Sequence, residues 1–180
     1  MHQLGVRGIR INIATYGSCS VEEFAARINI ASRLCSRNGW HVLLFTVADA
    51  IPALVPILEK LPVPVVIDHF GLIPPQINTH PTEKVLHRLL EKGNLWLKVS
   101  GAYRLGDDSN NEFSDSRIGS LARRFYQTNP ERIIWGTDWP HTPPMEPSPT
   151  VREKYPTAIL TLRVCSTSCT HGLTTPKQLR

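Results

Sequence analysis

Val42-Leu43-Leu44-Phe45-Thr46-Val47, then an amphipathic stretch with Ile51, Leu54, Val55, Leu58 and Leu61 inward, then Val63-Pro64-Val65-Val66-Ile67-Asp68: this segment decides the fold. The two apolar runs are short and continuous, as strands buried on both faces are. The stretch between them repeats at steps of three and four, which is helical. Strand, helix, strand with no hairpin signal implies a parallel pair joined by a crossover. Asp49 is expected to cap the helix, and Pro56 to kink it or delay its start.

The same alternation extends in both directions. Upstream, Val6 to Ile13 reads as a strand, followed by a turn at Tyr16-Gly17-Ser18. The next helix opens on Ser20 with Glu23 at capping-box spacing and closes at Asn38-Gly39. Downstream come a helix from Thr82 to near Gly93, a strand from Leu95 to Ser100, a helix from Ser114 to Tyr126 and a strand from Arg132 to Thr137. The unit length of about 30 residues suits an α/β fold of the (β/α)₈ TIM type. With about five parallel strands and covering helices, the barrel is expected to be incomplete. A doubly wound open sheet shares the alternation, but its Gly-x-Gly-x-x-Gly fingerprint is absent. The expected organisation is a partial barrel over residues 1–156 and an irregular tail over 157–180.

Composition narrows the function classes. The chain has 180 residues, 41% hydrophobic and 19% charged, as a globular domain does. Its net charge of +5 is spread out rather than gathered into a basic stripe, so no nucleic-acid partner is expected. No apolar run reaches membrane-spanning length, no membrane partner is expected, and the expected setting is cytoplasmic. Cys19, Cys35, Cys165 and Cys169 fit no disulfide framework. Cys165, Cys169 and His171 lack a fourth ligand, so no metal site is expected there. Oligomeric state is not legible.

In a parallel barrel the working residues lie at the C-terminal ends of strands. Polar residues collect at four such ends: Arg10-Ile11-Asn12, Asp68-His69-Phe70-Gly71, Ser100-Gly101-Ala102-Tyr103-Arg104, and Gly136-Thr137-Asp138-Trp139-Pro140-His141. Arg10 alternates with Gly8 and Asn12 on one strand face. Lys98 shares a face with Trp96 and Ser100, and either points inward or snorkels to solvent. Asp68 precedes His69 and, by strand alternation, is expected on the opposite face in a structural role.

Three blocks, Gly5 to Asn12, Val66 to Gly71 and Ile133 to His141, occur in this order, and together they resemble the amidohydrolase-related family. Within that family they are most similar to the 2-pyrone-4,6-dicarboxylate lactonase branch. The resemblance covers roughly residues 2 to 146 and implies a (β/α)₈ barrel that hydrolyses a carboxylated lactone or related ester. Asp138 matches the family's last-strand carboxylate, the implied general base, against a reading as a turn Asp. His69 matches a histidine that polarises the carbonyl, against a satisfied rim histidine. Arg10 and Arg104 match arginines that hold substrate carboxylates, against surface ion pairs. Asn12, Phe45 and His141 complete the expected substrate-binding set.

The chain also departs from the family pattern. The family's first-strand His-x-His pair occurs nowhere in this sequence, and Met1 to Gly5 looks like family interior just before the fourth strand. The first three strands are therefore expected to be missing. No metal or other cofactor is expected, a divalent ion belonging only to full-length relatives that carry the pair. Phe45 replaces a branch tyrosine and Tyr16 a branch arginine. A closing helix and its Asn-Pro segment are not recognisable after Pro156. Two alternatives follow: a shortened, inactive fragment of the enzyme, or a metal-dependent decarboxylase of the same superfamily.

Overall fold

The computed structural model describes residues 1–14, 20–74, 80–105 and 116–141. Five strands, β1 (Gly8–Asn12), β2 (His41–Phe45), β3 (Val65–Ile67), β4 (Leu95–Val99) and β5 (Ile133–Trp135), form one sheet. Every neighbouring pair is parallel, and the order across the sheet is the order in the chain. Helices α1 (Val21–Asn38), α2 (Ile51–Leu58), α3 (Pro81–Lys92) and α4 (Arg117–Thr128) make the crossovers. Sequential order decides between the two α/β architectures. A doubly wound sheet reverses direction at a switch point, whereas a barrel adds each strand beside the last. This sheet adds each strand beside the last.

Among the described residues, the helices cover one face of the sheet. Ile9, Ile11, Val42, Leu44, Val65, Ile67, Leu95, Leu97 and Val99 pack there against Ile28, Leu54, Leu86, Leu90 and Phe125 in one core. Strand alternation puts Arg10, Asn12, Leu43, Phe45, Val66 and Lys98 on the other face. That division separates stability from chemistry.

Local signals set the element ends. Ser20 and Glu23 exchange both capping-box hydrogen bonds, and Gly39 closes α1 at φ 64°. Gly93 closes α3 in the same left-handed conformation. Four sequence expectations are corrected or settled by the structure. Asp49 does not cap α2; it lies in a 3-10 turn and its carboxylate meets His80 Nε2 at 3.2 Å. The N-cap of α3 is His80, whose Nδ1 accepts from the Thr82 amide, so the helix starts one residue before Thr82. α4 is capped by Ser116 rather than begun at Ser114. Pro56 does not delay α2, which begins at Ile51 and ends two residues past the proline. The strands are shorter than their apolar runs because the flanking residues turn toward the loops.

Cys35 is buried, and its thiol donates to the His41 carbonyl. The Tyr16-Gly17-Ser18 turn, Cys19, Cys165, Cys169, His171 and the 156/157 boundary lie outside the described residues. Among the described residues, no helix is long and apolar enough to cross a membrane.

Candidate active site

The site is built on the segments that follow β3, β4 and β5. After Ile67 the chain leaves strand geometry: His69, Phe70 and Gly71 all have positive φ, at 51°, 56° and 63°. Two non-glycine residues in succession in that region are strained, and strain of this kind collects at functional sites. The turn has a consequence. Strand alternation would send the His69 ring into the helix layer; the left-handed turn brings it to the open face instead, and Phe70 is buried in its place.

His69 Nδ1 lies 2.9 Å from Ser100 Oγ, and Nε2 lies 3.6 Å from Asp138 Oδ1. The second distance is a close approach beyond direct hydrogen-bond length. Asp138 itself sits at φ 59°. Its Oδ2 accepts from Arg104 Nε at 2.6 Å and from the Tyr103 hydroxyl at 2.7 Å. Gly101 makes this packing possible. A Cβ there would lie 2.9 Å from His69 Nδ1 and 3.0 Å from Asp138 Oδ2.

The electrostatics separate the two groups. Burial lowers the His69 pKa, opposed by Asp68 and Asp138 and reinforced by Arg104 and Arg10. The ring is therefore neutral near pH 7. For Asp138 burial pushes the pKa up, but the Arg104 and Tyr103 hydrogen bonds and the nearby imidazole outweigh it, and the net shift is downward. The Tyr103 hydroxyl is held above its usual range by desolvation and by the Asp138 carboxylate. A neutral imidazole thus faces an ionised carboxylate.

A second cluster lies on the same sheet face. Arg10 Nε and Nη2 each approach Asp68 Oδ2 at 3.2 Å, and Lys98 Nζ lies 3.0 Å from Asp68 Oδ1. Phe45 separates the clusters. Its ring stands 4.9 Å from the Arg10 guanidinium carbon and edge-on to His69 at 5.3 Å.

The structure corrects the expectation for Asp68 and gives positions to Lys98, Arg104 and His141. Asp68 is not turned away from the site; it shares the Arg10 face, and it is His69 that breaks the alternation. Lys98 points inward to Asp68 rather than snorkelling. Arg104 engages Asp138, where the sequence suggested a substrate carboxylate or a surface partner. His141 is exposed, its Nε2 beside the Thr137 carbonyl at 2.8 Å and its ring against Tyr103 at 5.7 Å, so it stands at the rim. Asn12 ends β1 in register with Phe45. Tyr103 and Ser100 were not singled out from sequence, although both lie in the quoted tip after β4. Among the described residues, no group of three or more His, Cys, Asp or Glu is placed to hold a metal ion.

Parallel strands in chain order bring a carboxylate and an imidazole to one rim, the C-terminal end where (β/α) barrels carry their working residues. Residues 1–159 match the amidohydrolase family profile, and the chain belongs to that family. It is 31% identical over 153 residues to a 2-pyrone-4,6-dicarboxylate hydrolase of Comamonas testosteroni, a match covering 78% of this chain and 48% of the relative. It is 38% identical over 109 residues to a 4-sulfomuconolactone hydrolase of Hydrogenophaga intermedia, covering 60% and 35%. The solved structure of a putative 2-pyrone-4,6-dicarboxylic acid hydrolase from Pseudomonas putida superimposes with a TM-score of 0.56 at 32% identity, covering 79% of this chain and 51% of that one. The chain thus spans about half the length, or less, of these relatives, and its sheet is part of an amidohydrolase (β/α)₈ barrel.

Proposed function

We propose that this mouth hydrolyses a small carboxylated lactone. The observation that carries the reading is Asp138 Oδ1 facing a neutral His69 Nε2 at 3.6 Å, with Oδ2 already held by Arg104 and Tyr103. In the tautomer that accepts from Ser100 at Nδ1, the ring hydrogen sits on Nε2 and is available to a lactone carbonyl oxygen. Water attacks the carbonyl carbon while Asp138 Oδ1 takes its proton. The tetrahedral intermediate then collapses, the ring C–O bond breaks, and the proton passes from Asp138 to the departing alkoxide or enolate oxygen. Arg10 is the proposed anchor for a substrate carboxylate, with Asn12, Phe45 and His141 lining the approach.

The relatives' names support the substrate class, since each is a hydrolase of a lactone or pyrone acid. No step is routed through a metal, because His69 and Asp138 supply only two donors and the family's His-x-His pair is not in this sequence. The proposal includes a reducing, cytosolic setting, in keeping with four cysteines whose spacing fits no disulfide framework.

The test is a spectrophotometric assay of pyrone dicarboxylate and muconolactone-type substrates with the purified chain. Measurable hydrolysis, lost about 10²-fold or more in Asp138→Asn, supports the reading. Hydrolysis that survives the substitution would assign the proton transfer elsewhere and overturn it.

A further inference from the structure

Asp68 is a buried carboxylate that the proposed hydrolysis does not use. Its side chain is 4% exposed, and one oxygen, Oδ2, takes both Nε and Nη2 of Arg10. Lys98 Nζ stands 3.0 Å from the other oxygen but outside hydrogen-bond alignment, so it contributes charge more than direction. The Phe45 ring supports the guanidinium from a second side. Two fixed supports leave a side chain of high rotamer entropy with one orientation. Among the described residues, Arg10 Nη1 has no hydrogen-bond partner. Two cations around one carboxylate also leave the cluster net positive, which suits an anion.

We propose that Asp68 is a positioning residue: it locks the Arg10 guanidinium across the mouth, while Lys98 balances its buried charge so that Arg10 is not neutralised. The proposal rests on the lactonase reading only for what Arg10 then binds. A carboxylate held by Arg10 alone would form a closed, neutral pair and attract anions weakly. The second cation keeps Arg10 both fixed and available.

The experiment observes arginine Nε–H signals by ¹⁵N–¹H spectroscopy of the full chain, with the Arg10 signal assigned through Arg10→Lys. A guanidinium bound to a buried carboxylate exchanges slowly with solvent. Asp68→Asn is expected to abolish that slow exchange, Asp68→Glu to shift the signal but retain it, and Lys98→Met to leave it slow. An Arg10 signal unchanged by both Asp68 substitutions overturns the proposal. Should Asp68→Asn fail to fold, the readout is the shift of the Arg10 signal in Asp68→Glu, and a signal that does not move there overturns the proposal. In parallel, calorimetry with citrate as a polycarboxylate probe is expected to show affinity about tenfold weaker in Asp68→Asn and weaker also in Lys98→Met. A wild-type chain that ignores citrate would remove the carboxylate role of Arg10, while the spectra still decide the positioning.

Discussion

His69 Nε2 and Asp138 Oδ1 lie 3.6 Å apart across the tips of two non-adjacent strands, β3 and β5. β4 lies between them and supplies both the second anchor of His69, through Ser100, and both anchors of Asp138, through Tyr103 and Arg104. The pair is thus held by a third element that touches both members. Its geometry depends on three loop conformations at once, and substitutions in the β4 tip should be felt by both groups.

Removing one anchor gives the mildest test. Tyr103→Phe deletes a hydroxyl that donates to Asp138 and helps to hold its pKa down. The carboxyl pKa is expected to rise, which moves the acid limb of kcat/KM to higher pH while the fold is retained. The check is the pH–rate profile of the variant beside that of the parent chain.

Gly101→Ala should be far more damaging. At φ 63° an alanine is strained, and its Cβ would crowd His69, Asp138 and Arg104 together. A loss of about 2 kcal/mol of stability is expected from the backbone conformation and the clash. Hydrolysis should fall by at least about tenfold, as misplacement by an ångström does. Denaturant unfolding and steady-state kinetics measure the two effects separately.

Stability should also depend on pH through the same pair. The folded-state pKa of His69 lies below its unfolded value near 6.5, so the unfolded chain binds the proton first. That contribution is complete above about pH 6.5 and is lost as pH falls through the folded value. Asp138 has the same sign in a lower window, beginning near its ordinary pKa of 3.8. Urea midpoints measured from pH 8 to 4 should fall toward acid, and His69→Gln should flatten the upper part of the curve.

The helix-covered face can be tested apart from the chemistry. Phe125 on α4 is fully buried against the core. Phe125→Ala is expected to cost about 3–5 kcal/mol from lost transfer energy and a residual cavity. Thermal unfolding gives the measurement. Asp138 titration in any folded fraction should be unchanged, because Phe125 lies on the opposite side of the sheet.

Much of the architecture is written in local pattern. The capping box at Ser20 and Glu23, the glycine closures at 39 and 93, and the apolar runs of β1 to β5 each act within a few residues, so periodicity and cap chemistry suffice to read them. Where sequence reading failed or left two readings open, a longer-range partner decides. Asp49 is a plausible cap by spacing, yet it faces His80 from a different loop. Lys98 is a plausible surface lysine, yet the buried Asp68 on the neighbouring strand draws it inward.

The order of strands and helices, the residue types gathered at the strand tips and the missing His-x-His pair follow from the sequence alone, because each is a property of the chain read in line. The assignment of partners came only with the tertiary structure. Arg104 on Asp138, Asp68 beneath Arg10, and His69 turned against its strand phase depend on backbone dihedrals and on distances between segments about 30 to 70 residues apart. Strand alternation predicts a side chain's direction only while the strand continues. The site begins where the strands end, and there steric fit around Gly101 and the competition among a few charges decide which groups meet.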